Sequence, residues 1–162
     1  MMLLNTGSYR GRIYLEDGIA DLVAVSESVE ECREGETKAV WSYKRELGLI
    51  YRDRSALADP AGLRIVGWPR DSAMKESFEK VLMGLGISNP RYVRLAKTHT
   101  AVAASVASGR ADLGFGEKEA AIQAGLEFEP AAEDVLLLLA GPKGLGNPRV
   151  RSLMAALALP QL

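Results

Sequence analysis

A five-residue pattern occurs twice in this 162-residue chain, as Gly18-Ile19-Ala20-Asp21-Leu22 and as Gly109-Arg110-Ala111-Asp112-Leu113. Each copy follows a helix-sized segment and leads into an apolar, strand-like one. Counting 10 residues back from the glycines reaches Ser8 and His99, and both stand at a helix start, Gly7-Ser8 and Thr98-His99. The repeated unit therefore reads as polar cap, helix, Gly-x-Ala-Asp turn, strand. A glycine just past a helix supplies the left-handed residue that ends it. A chain built twice from this unit is expected to form two similar α/β lobes, with helix N-termini from both lobes facing a shared cleft.

The rest of the chain alternates helix and strand signals. Ser72 or Asp71 can cap a helix whose apolar positions Met74, Phe78, Val81, Leu82 and Leu85 form one stripe, ending near Gly84 and Gly86. Tyr92 to Leu95 reads as a strand. Thr98 caps a helix over Ala101 to Ser108, closed by Gly109, whose small residues suit close packing on a sheet. Leu113 to Phe115 is strand-like, and Glu117 to Ala124 is a helix ended by Gly125. Val135 to Ala140 is wholly apolar, as in a strand covered on both faces. Asn147-Pro148 opens a last helix with Val150, Leu153, Met154 and Leu157 as its buried stripe. Ile19 to Val25, Leu47 to Tyr51 and Leu63 to Trp68 read as further strands. The polar stretch Ser26 to Lys38 reads as a solvated loop or short surface helix. The expected class is α/β with mainly parallel sheets.

Composition narrows the function. With 20 basic and 21 acidic side chains the net charge is -1, so no electrostatic footprint for nucleic acid or a membrane surface exists. The longest apolar run is far too short to span a bilayer, and Met1 to Leu4 leaves no room for a signal-peptide core. Cys32 is the only cysteine and His99 the only histidine. That excludes an internal disulfide, a Cys/His zinc finger and a multi-histidine metal centre. A cytoplasmic location is the default, and the bias to Arg over Lys with few Asn and Gln resembles thermophile composition.

Enzyme chemistry fits poorly. A Ser–His–Asp site would pair His99 with Ser8 or Ser72, but no Gly-x-Ser-x-Gly elbow is present. Carboxylates around Cys32 would raise rather than lower its thiol pKa. Gly141 to Gly146 lacks the Lys-Ser/Thr of a phosphate loop and is followed by Asn147-Pro148, as expected of a turn into the last helix. Asp21 and Asp112, each after a glycine turn, are expected to cap or bond local backbone. What remains is anion binding. The first turn of a helix offers unbonded N–H groups and a partial positive charge. Ser8, Ser72 and Thr98 would add hydroxyl donors there. Each hydroxyl can equally be a simple cap, and the anion reading rests on three of them recurring in matched positions. His99 either adds a donor beside the anion or is an ordinary early helix residue.

The stretch from Thr98 to Gly116 resembles the pattern TH-x-AVA-x-x-VASGRAD-x-G-x-G of the type 2 periplasmic-binding-protein-like domains in prokaryotic molybdate- and molybdopterin-related proteins. Gly7-Ser8 with Gly18-Ile19-Ala20-Asp21 is similar to the first-lobe pattern of that family. Arg64 to Lys75 aligns with its "RFVNR…GSGTR" stretch, keeping only Ser72 of the Gly-Ser-Gly-Thr core, with Lys75 in place of arginine. The resemblance implies a type 2 fold with lobe one at 1–57 and 130–162 and lobe two at 58–129. It implies a first lobe without its opening strand–helix unit, the bare edge being covered by a homodimer. It also implies a non-catalytic site for a small oxyanion such as molybdate or tungstate, or a molybdopterin-related ligand. The ligand residues would be Gly7, Ser8, Tyr9, Arg70, Ser72, Thr98, His99 and Thr100, with no metal or cofactor. A separate regulator or cofactor-synthesis enzyme would read the bound state. The alternative is an interaction or structural module that has lost its ligand, favoured by Ala73-Met74 standing where the family has Gly-Thr.

Overall fold

A computed structural model describes residues 7–27, 37–59 and 62–157. Cys32 and most of the acidic stretch expected as a solvated loop lie outside the described residues. The chain divides into two compact units, Met1–Lys44 with Asp134–Leu162, and Arg45–Glu133. The divisions fall inside two long strands, β2 (Lys38–Tyr51) and β6 (Glu127–Ala140), each of which runs from one unit into the other.

The first unit holds α1 (Ser8–Glu16), β1 (Leu22–Glu27), the start of β2, the end of β6, α5 (Pro142–Gly146) and α6 (Pro148–Leu157). β1 pairs antiparallel with β6, from Leu22 opposite Ala140 to Glu27 opposite Val135. Side chains alternate across such a ladder. Val23 and Val25 therefore join Leu137, Leu139, Val135 and Leu15 of α1 in one cluster. Ala24 is exposed, and Leu136 and Leu138 are half-buried. Val135, Leu137 and Leu139 are thus buried with Val23 and Val25, while Leu136 and Leu138 on the opposite face are only half-buried, so the run is not covered equally on both faces. The last helix also departs from expectation. Asn147 caps it through Arg149 N–H, but among the four stripe residues only Val150 is buried, and Leu153 is 37% exposed. Its first turn is held beside α5 while the remaining turns run out along the surface.

The second unit has strand order β6-β2-β5-β3-β4, with β3 at Ile65–Gly67, β4 at Tyr92–Leu95 and β5 at Leu113–Glu117. β3 is parallel to β4 and to β5, whereas β2 pairs antiparallel with β5. The sheet is therefore mixed rather than mainly parallel. The parallel part is the βαβ segment, and the long strands that return the chain supply the antiparallel part. α2 (Ala73–Gly84) buries Met74, Phe78 and Leu82, one stripe as its spacing predicts. α3 (His99–Ala107) buries Val102, Ala103, Ser105 and Val106, while Ala104 and Ala107 face outward. Close approach of α3 comes from the strand beneath it. A Cβ on Gly114 of β5 would lie 2.4 Å from Val102 Cγ1, so the helix rests where the strand has no side chain. Phe78 and Phe115 stack at 5.3 Å in the centre of this core.

The repeat is structural as well as textual. α1 and α3 begin at 8 and 99 and end at 16 and 107, and β1 and β5 begin at 22 and 113, a constant offset of 91. The turns bond identically. Gly18 N–H donates to Leu15 O, and Ile19 and Ala20 both donate to Tyr14 O. Gly109 N–H donates to Val106 O, and Arg110 and Ala111 both donate to Ser105 O. Gly18 and Gly109 have φ of 67° and 73°, the left-handed region a glycine enters without penalty. The aspartates that follow reach further than local backbone. Asp21 accepts from Asn147 Nδ2 at 3.0 Å, and Asp112 accepts from Arg64 backbone N–H and its guanidinium.

Candidate functional site

In the second unit, parallel strands set the direction of three helices. β3 leads through Trp68 to Ser72 into α2, β4 leads through Ala96 to Thr98 into α3, and β5 runs directly into α4 (Lys118–Gln123). The three N-termini consequently lie at one end of the sheet, the end where ligands gather in α/β folds. Ser72 caps α2, its Oγ accepting from Met74 N–H at 3.3 Å. Thr98 caps α3, its Oγ1 accepting from Ala101 N–H at 3.1 Å. Both hydroxyls still have a proton to donate.

His99 is the most heavily positioned residue at this end. Its Nδ1 accepts from Glu117 N–H at 3.1 Å, which ties α3 to the last residue of β5. Its ring meets Trp68 edge-on with centroids 5.0 Å apart, and Trp68 Nε1 donates to Phe115 O at 2.9 Å. A Cβ on Gly116 would stand 3.1 Å from His99 Nδ1, so glycine there leaves the imidazole its place. Arg45 Nη1 lies 3.4 Å from His99 Nε2. Leu47 pairs with Glu117, so Arg45 continues β2 past the C-terminal end of β5, and its side chain is only 8% exposed. Beside it, exposed Lys118 donates to Glu46 at 2.6 Å, and that bond holds the ammonium pKa above its ordinary value.

The expected ligand residues are distributed over both units. Arg70, Ser72, Thr98, His99 and Thr100 belong to the second, with Arg70, Thr98 and Thr100 exposed. Gly7, Ser8 and Tyr9 belong to the first. There the N-cap of α1 is Gly7, not Ser8, and no side chain caps it. Ser8 is already helical, and its Oγ accepts from Ser26 N–H at 3.0 Å. Ser26 Oγ in turn donates to the buried carboxylate of Asp134. Tyr9 is 55% exposed. Sequence reasoning missed Arg45 and Trp68. Period-two alternation carried the signal for Arg45, which shares a strand face with Leu47 and Leu49, but the run Lys44-Arg45-Glu46 reads as solvated charge. No cluster of His, Cys, Asp or Glu able to hold a metal ion occurs among the described residues, and no described helix is long and apolar enough to cross a membrane.

Two α/β units joined by two long strands, with helices starting from the ends of parallel strands, define a type 2 binding-protein-like fold. The family model for the PBP superfamily domain matches residues 3–158, and the chain belongs to that family. No curated protein matches it in sequence. Among solved structures it is similar to the bromide-bound regulatory domain of HypT from Salmonella typhimurium. That match has a TM-score of 0.67 at 11% identity, covering 93% of this chain and 80% of that one. It is also similar to the effector binding domain of QuiR in complex with shikimate, with TM-score 0.66, 16% identity and coverage of 94% and 77%. An ABC-type phosphate transport receptor from Vibrio cholerae matches with TM-score 0.58, 13% identity and coverage of 96% and 80%.

Proposed function

We propose that this protein is a non-catalytic binding module for a small anion, held where α2, α3 and α4 begin in the second unit. One observation carries the reading. Three helix N-termini share the end of a parallel sheet, and Arg45 Nη1 and His99 Nε2 stand among them 3.4 Å apart. Backbone donors, the helix dipoles and a guanidinium favour negative charge together. The similar structures point the same way, since their descriptions name bromide, shikimate and phosphate. Within this class the ligand we favour is an oxyanion of molybdenum or tungsten, or a molybdopterin-related molecule, on the motif resemblance of Thr98 to Gly116. The setting is cytoplasmic, and a separate regulator or cofactor-synthesis enzyme reads the bound state.

Calorimetric titration with molybdate, tungstate, sulfate and phosphate tests the proposal. Saturable heat with at least one anion is the expected result. No heat with any of them at millimolar concentration sinks it.

A second reading has its own observation. In α2 the Ser72 hydroxyl already holds Met74 N–H, and the Met74 side chain is buried in the core. That first turn therefore offers little to a ligand. An interaction module that has lost its ligand would give no heat in the same titrations.

A further inference from the structure

We propose that the outer edge of β4 takes up an extended, acidic segment of a partner protein, which joins the sheet as a further strand. β4 (Tyr92–Leu95) stands last in the strand order and is paired on one side only, parallel to β3. The direction of its backbone groups follows from one bond. Ala96 N–H donates inward to Gly67 O at 2.9 Å, and successive residues of a strand turn their backbone groups to opposite sides, so the N–H and C=O of Leu95 face the open edge. Side chains alternate as well. Tyr92 anchors the strand to the core, its ring lying over Gly67 and 6.4 Å from that of Phe78. Val93 and Leu95 are instead 50% and 53% exposed, two apolar side chains left beside an open edge.

Charge selects the occupant. Arg91, Arg94 and Lys97 are all exposed, one within the strand and one just beyond each end. Glu79, the carboxylate bonded to Tyr92, is already paired with Lys75 at 2.7 Å. Cations on an edge strand deter a second copy of the same edge. Were two β4 strands to pair antiparallel about Arg94, that residue would face its own counterpart and Arg91 would face Lys97, and like charges directly opposite destabilise a ladder. The same three cations attract an acidic strand. A nucleic acid would answer the charges but could neither continue the ladder at Leu95 nor cover Val93 and Leu95. An extended peptide does all three, through backbone bonds for affinity and alternate side chains for specificity. Antiparallel pairing is the more stable kind. The partner segment then carries apolar residues opposite Leu95 and Val93, a carboxylate opposite Arg94, and carboxylates at its ends near Lys97 and Arg91. Such docking needs no bound anion.

A short synthetic peptide with blocked termini is the probe: glutamate at its first, fourth and seventh positions, valine at the third and fifth, threonine at the second and sixth. It is titrated to millimolar concentration into the full chain labelled with nitrogen-15, with amide signals followed by NMR. The signals of Val93 to Leu95 should move saturably, and exchange of the Leu95 N–H with solvent should slow. N-methylation of the third residue, whose N–H would point at Leu95, should abolish both changes. N-methylation of the fourth, whose N–H would point away, should leave them. Arg94→Glu, at an exposed position, should weaken the peptide about tenfold, because an attraction across the pair becomes a repulsion. Lysine at the fourth position of the peptide should then restore binding to that variant. No movement at β4 overturns the proposal. Binding that ignores Arg94→Glu, or is indifferent to which residue is N-methylated, overturns it as well, since diffuse charge attraction would behave so. A dimer in sedimentation that Leu95→Lys converts to monomer would give the edge to a second copy and overturn it too.

Discussion

Ser8 Oγ accepts the backbone N–H of Ser26 at 3.0 Å, so the first residue of a helix holds the strand that follows it. At an offset of 91, His99 Nδ1 accepts the N–H of Glu117 at 3.1 Å and does the same for the second copy. A hydroxyl and an imidazole share nothing but an acceptor at similar reach. The repeat thus conserves a hydrogen bond whose side chain differs. Ser8→Ala removes the acceptor in the first copy and should lower stability by about 1 kcal/mol, read by urea unfolding at neutral pH. An unchanged midpoint would mean that Ser26 N–H is satisfied without it.

Gly18 and Gly84 should respond to alanine with opposite signs. At Gly18 a Cβ would have open space, its nearest neighbour being Lys143 Cδ at 4.0 Å, but φ is 67°. Backbone strain alone then costs about 1–2 kcal/mol. Gly84 ends α2 with nothing within 4 Å of an added Cβ and no positive φ. Alanine there should stabilise by about 0.5–1 kcal/mol, through lost freedom of the unfolded chain. Thermal unfolding of the two variants, side by side, checks the contrast.

Asp112 should make stability depend on acid pH. Its bond from the Arg64 guanidinium, at 2.6 Å, is the main reason its carboxyl is held below the ordinary value, against a smaller opposing effect of burial. A group whose pKa is depressed on folding stabilises above its unfolded pKa, and the gain disappears as pH falls through the folded one. The deficit of Asp112→Asn relative to the parent should be about 1–2 kcal/mol at neutral pH, moderated because Arg64 is half exposed. Denaturant titrations from pH 7 downward should show the two proteins converging below the usual carboxylate range. A deficit that is flat with pH would contradict the pairing.

Gly114→Ala should disturb the second core. Its Cβ would sit 2.4 Å from Val102 Cγ1 and 3.0 Å from Val66 Cγ1, with α3 above and the sheet below. Overpacking of this kind costs about 1–3 kcal/mol. Adding Val102→Ala should recover part of the loss, which a double-mutant cycle measures as a coupling energy between the two positions.

Local chemistry made much of this legible beforehand. The caps Ser72, Thr98 and Asn147, the strand Tyr92 to Leu95 and the left-handed glycines all act within a few residues of themselves. Features set by distant partners were not legible. Ser8 reads as a cap because its true partner is 18 residues away in β1. β2 and β6 reach 14 residues each, yet the apolar pattern marks only Leu47 to Tyr51 and Val135 to Ala140 as strands, and the charged residues that extend both are placed by pairing. The site was half visible for the same reason. Thr98 and His99 announce a helix start, whereas Arg45 joins them only through the register of β2 on β5.

The identical bonding of the two Gly-x-Ala-Asp turns makes that turn an interchangeable part. Its two versions differ at one position within five residues, Ile19 against Arg110, and both side chains project into solvent. A single Ile19→Arg replacement writes the second version into the first place without altering any bond the turn makes. The backbone, rather than the variable residue, is the unit that this chain uses twice.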